Sequence, residues 1–153
     1  MIYLVLAFTI GCVIPLQAAV NNQLKLHLGG STLLAAFVSF SVGTIALAAV
    51  ATAAGQRWQA LATLGEAKAW QLTGGLLGAL FVFGTTLLAP RIGVAKMISL
   101  LIAGQVLMSL LMDQKGWLGL VTRELTFTRA AGAVLVVAGV LLVNYDQLFP
   151  ADA

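Results

Sequence analysis

Charge is scarce along this chain. Its 153 residues hold eight Lys and Arg, five Asp and Glu and one His, so that charged side chains make up 8% against 61% hydrophobic. Soluble domains carry about 25% charged and about 45–50% apolar residues, and a chain this short cannot bury so much apolar surface in water. A water-soluble domain is excluded, and lipid is the solvent for most of the surface. The single cysteine, Cys12, excludes an intrachain disulfide and cannot build a zinc site alone. Carboxylates are missing from the cores of the long apolar runs: Glu66, Asp113, Glu124, Asp146 and Asp152 lie in connections or at ends. Proton-coupled export of cations usually needs such a buried acid, so neutral or anionic cargo fits better. There is no HExxH, no nucleophile–base pair and no Gly-rich phosphate loop. An enzyme therefore has almost no support, and neither a metal nor a cofactor is expected. The net charge of +3 comes from basic residues scattered between apolar runs, which speaks against nucleic acid as a partner.

What is present is a set of apolar stretches near the length of about 20 residues that crosses a bilayer. Five qualify: 2–28, 32–54, 70–89, 92–112 and 130–148. The expected fold is all-α and integral to the membrane, a single five-helix domain over 1–153. The first run lacks a basic n-region and continues past a signal h-region, so it reads as a retained span. Ser31 is placed to cap the second helix and Gly55 to follow it. Pro90 is expected to stop the third, Asp113 to close the fourth, and Thr128 with Arg129 to open the fifth. Short links make the flanking helices antiparallel neighbours, while the connections 56–68 and 114–129 hold most of the charge. Trp58, Trp70, Trp117 and Tyr145 fall near span ends, where aromatic belts form. Arg57, Lys68, Lys115, Arg123 and Arg129 stand on the N-terminal side, against Lys25, Arg91 and Lys96 opposite. This small excess favours a cytoplasmic N-terminus and leaves insertion in both orientations open.

The first helix carries Pro15, Gln17 and Asn21 within its apolar run. An unpartnered amide facing hydrocarbon costs roughly several kcal/mol. Gln17 and Asn21 share one helical face, and Pro15 frees the carbonyl of Gly11 and bends the chain, a combination suited to lining a watery cavity. The plainer alternative puts Asn21 among headgroups and Pro15 in a packing kink. In the second helix, Ser39, Ser41, Gly43 and Thr44 sit near mid-membrane; packing is the simpler role, with Ser41 retained as a cavity candidate. Lys96 lies four residues beyond Ile92, about 6 Å of helix rise. It can snorkel to the surface or present a cation to substrate. Gln105 lies more than three turns in and cannot reach water so easily, which makes it the better polar candidate. Gly74 and Gly78 have GxxxG spacing, and Gly132 and Gly139 are seven apart; both pairs suit close helix seams, within the subunit or between two chains.

In this order the segments "PLQAAVNNQL", "SFSVGT", "GGLLGALFVFGTTLLAPRIG", "AGQVLMSLLMD" and "RAAGAVLVVAGVLL" resemble the YdcZ-like five-helix group of the drug/metabolite transporter superfamily, over nearly the whole chain. The resemblance implies a bacterial inner-membrane location and a ten-helix architecture made from two five-helix repeats of opposite orientation. It implies that single-repeat members pair antiparallel, with themselves or with a sister subunit. It also implies a cavity lined mainly by the first four helices, where Gln17, Asn21 and Gln105 would fall, with a peripheral last helix that helps assembly. The small multidrug exporters, four-helix relatives, depend on a Glu in their first helix; this chain has none there, so quaternary-ammonium/proton exchange is not transferred to it. The expected function is a small-metabolite transporter subunit working by alternating access. The rival is a non-transporting scaffold or regulatory subunit of a partner membrane protein.

Overall fold

A computed structural model describes residues 1–145; Asp146, Asp152 and the end of the expected fifth span lie outside them. The described residues form helices and turns and no strand. The chain forms two compact units, Met1–Arg91 and Ile92–Ala153.

The first unit begins with α1, Ile2–His27, and α2, Thr32–Ala53. The link between them turns on Gly29 and Gly30, whose φ angles of 64° and 80° suit glycine. Ser31 then caps α2 as expected, its hydroxyl accepting from the Leu34 N–H at 3.2 Å. The two helices pack against each other, and their buried residues are small: Ala18 and Asn21 on α1, Ala35 and Ala36 on α2. Small side chains let backbones approach closely where lipid supplies no hydrophobic drive. Gly55, with φ 69°, follows α2. The stretch 56–68 is more regular than expected: it holds a 3₁₀ segment, Trp58–Glu66, and a second, Ala69–Leu72, leads into α3, Thr73–Ile92. Pro90 does not stop α3, which continues to Ile92. In a last turn proline removes only one ladder bond, here to the Thr86 carbonyl, and the helix ends instead at Gly93 with φ 84°.

The second unit contains α4, Val94–Lys115, a short 3₁₀ turn at Trp117–Gly119, and α5, Phe127–Val143. Asp113 does not close α4; Gly116, left-handed at φ 61°, caps it two residues after Gln114. Thr126 opens α5, where Thr128 had been expected, and its hydroxyl accepts from the Arg129 N–H at 3.3 Å.

Four helical stretches among the described residues are long and apolar enough to cross a membrane: Ile2–His27, Thr32–Ala53, Ala69–Ile92 and Val94–Lys115. The apolar helix Phe127–Val143 is shorter, at 17 residues, and its expected run to 148 extends beyond what is described.

Candidate functional site

Each unit buries one carboxamide. In the first it is Asn21 of α1, only 3% exposed, whose Nδ2 has no hydrogen-bond partner. A buried donor left unmade costs about 1–3 kcal/mol. The buried residues of the α1–α2 pair are otherwise alanines, with no side-chain oxygen to offer. Asn21 thus holds a buried donor without a partner among the described residues. Gln17, one turn earlier, is exposed on the surface of α1. Ser41 is half-buried, but its Oγ donates to the Phe37 carbonyl at 2.9 Å. Thr85 and Thr86, both buried in α3, donate to the Val82 carbonyl at 3.1 and 2.8 Å. These hydroxyls are satisfied within their own helices, which separates them from Asn21.

The second unit buries Asn144, the C-cap of α5, at 4% exposure. Its Nδ2 donates to the Val140 carbonyl at 2.8 Å and to Ser99 Oγ of α4 at 3.0 Å. Because a carbonyl only accepts, the contact with Val140 fixes which end of the amide is nitrogen. The Oδ1 that remains is buried without a partner. Ser99 passes the chain on, its Oγ donating to the Lys96 carbonyl at 2.8 Å. Lys96 itself is half-buried in the first turn of α4, where its stem can reach the surface. Gln105 stands halfway along α4 and is exposed.

Sequence reading singled out Asn21 but missed Ser99 and Asn144. Serine in an apolar helix ordinarily bonds back to its own turn, and Asn144 sits at the ragged end of the last apolar run. Their pairing spans 45 positions, so the one local signal was an asparagine at a helix end. The glycines differ among themselves. A Cβ at Gly78 would meet the Phe40 ring at 3.2 Å, whereas one at Gly74, Gly132 or Gly139 would meet nothing within 4 Å.

Each unit by itself offers neutral hydrogen bonding, the first through Asn21 Nδ2 and the second through Asn144 Oδ1. Among the described residues, no cluster of His, Cys, Asp and Glu could hold a metal ion. No curated protein and no solved structure matches the chain. A family model does: one described as "Putative inner membrane exporter, YdcZ" matches residues 2–142. Four apolar helices of membrane length among the described residues agree with that description, and the chain belongs to this YdcZ family of inner-membrane exporters, a multi-pass transporter of the inner membrane.

Proposed function

We propose that the protein moves a small neutral or anionic metabolite across the inner membrane, with Asn21 donating a hydrogen bond to a carbonyl or carboxylate oxygen of the cargo. The observation that carries this reading is the buried, unpartnered Nδ2 of Asn21. A buried donor kept unmet at a cost of about 1–3 kcal/mol is a poor structural choice, because leucine would fill the space without that cost. It is a sound choice for a site that must be empty for half of each cycle. Gln17, one turn away and exposed, extends the same polar strip.

The chain works as half of a transporter, two copies (or a copy and a sister subunit) inserted in opposite senses and alternating access to a shared site. Exposed Gln17 and Gln105 on apolar helices support this, since an amide left against acyl chains is costly and a partner or a watery path would cover it. A thermal-shift screen over amino acids, organic anions and organic cations identifies the cargo, expected among the first two. Transport of that cargo into inverted vesicles should then fall at least about tenfold in Asn21→Leu, the loss of one hydrogen bond to a charged or polar group. An Asn21→Leu protein that transports at the unaltered rate would overturn the assignment.

A further inference from the structure

We propose that the 3₁₀ segment Trp58–Glu66 is a strap lying flat in the membrane–water interface, with its apolar row among lipid chains and its flanking basic residues on anionic phospholipid headgroups. The chain on either side carries it to the bilayer edge: α2 ends at Ala53, and the next membrane-length stretch begins at Ala69. A 3₁₀ helix has three residues per turn, so positions i and i+3 stack in rows. Trp58, Leu61 and Leu64 therefore form one row, and they are 48%, 57% and 52% exposed. Ala60, Thr63 and Glu66 form another, where the Thr63 hydroxyl is turned back onto the Ala60 carbonyl at 2.9 Å. Gln59, Ala62 and Gly65 make the third.

None of the nine residues is buried. Runs of this geometry beyond three or four residues are uncommon, because its hydrogen bonds are poorly aligned. A nine-residue run with a continuous, half-exposed apolar row and no helix packed against it among the described residues needs outside support, and bilayer lies within reach of both its ends. Arg57 precedes the segment and Lys68 follows it, both exposed. They would stand at the two ends of the strap at headgroup depth, while Glu66 lies in a different row from the apolar one. Trp70, half exposed at the start of the next stretch, adds a second indole at the same level. The occupant of the apolar row is thus the lipid surface, and the charge pattern selects its anionic component.

The test uses the full chain in vesicles with Trp58 as the sole indole, through the conservative changes Trp70→Phe and Trp117→Phe. Its fluorescence is measured against brominated phosphatidylglycerol, brominated phosphatidylcholine and aqueous iodide. Both bromolipids should quench Trp58 and iodide should not, with phosphatidylglycerol favoured about fivefold at low salt, Glu66 offsetting part of the two cations' pull. In Arg57→Gln/Lys68→Gln that preference should fall towards one while quenching by phosphatidylcholine persists. Quenching by iodide and by neither bromolipid would overturn the strap. Equal quenching by the two lipids would overturn the selection of anionic headgroups. Bromolipid quenching that grows as protein is diluted into lipid would show the row covered by a second copy, and would overturn lipid as its occupant.

Discussion

The two buried asparagines make opposite predictions. Asn21 has an unmet donor, so Asn21→Leu should raise resistance to unfolding in mixed micelles by about 1 kcal/mol even as transport falls about tenfold or more. A loss of stability together with transport would instead mark Asn21 as structural. Asn144 ties Ser99 to Val140, so Asn144→Leu should destabilise by about 1–2 kcal/mol. Asn144→Asp should be worse than leucine, because a carboxylate oxygen would face the Val140 carbonyl where a donor now stands. An Asn144→Leu protein as stable as the unaltered one would show that the amide bonds contribute nothing. Asn21 could be picked out in advance because it interrupts an apolar run and shares a face with Gln17. Whether either amide finds a partner was not legible there, since that depends on which atoms a neighbouring helix brings.

At the scale of elements, α4 and α5 are clasped at both ends. Asn144 bonds Ser99 at one end, and at the other the Arg129 guanidinium is paired with Asp113. Arg129 and Asp113 are about one-third and one-quarter exposed, so a cycle of Asp113→Asn and Arg129→Gln should give a coupling below about 1 kcal/mol. The α1–α2 pair is held differently, by alanines in close approach. Gly116 is the constrained point of the α4 end, because a Cβ there would lie 2.7 Å from Thr122 Oγ1 on a backbone already at φ 61°. Gly116→Ala should cost about 1–2 kcal/mol, and Thr122→Ala in the same chain should restore only the part due to the clash. Full restoration would mean that the left-handed backbone carries no strain. Helix positions were legible because each needs about 20 apolar residues. Helix ends were less so: Pro90, Asp113 and Thr128 each look like a boundary, yet the breaks fall at Gly93, Gly116 and Thr126. Positive φ at a glycine, and which of two nearby threonines meets the free N–H groups, are settled by the path of the chain.

At the scale of the whole molecule, family membership rests on nearly the full length, residues 2–142. If all five apolar runs cross the membrane, five basic residues fall on one side and three on the other, a near-balance that a chain inserted both ways would carry. In a Cys12→Ser background, Gln114→Cys should react with an impermeant maleimide both from outside intact cells and in inverted vesicles. Labelling from a single side would exclude a pair of identical, oppositely inserted copies. Pairing stays a proposal, argued from the odd number of apolar runs and their weak charge bias, and the cargo was not legible at all, because no local pattern encodes it.

The clasp between Ser99 and Asn144 also bears on how the protein is made. Ribosomes finish α4 well before the final turn of α5 exists, so Ser99 must wait in the translocon or the lipid through 45 further residues of synthesis. It waits without penalty, since its proton is already lodged on the Lys96 carbonyl of its own turn and only a lone pair stays open. The amide that completes the arrangement arrives last, with its own nitrogen anchored on Val140. Nascent chains stalled before residue 144 should therefore insert α4 normally yet leave the hairpin easy for a protease to pry apart.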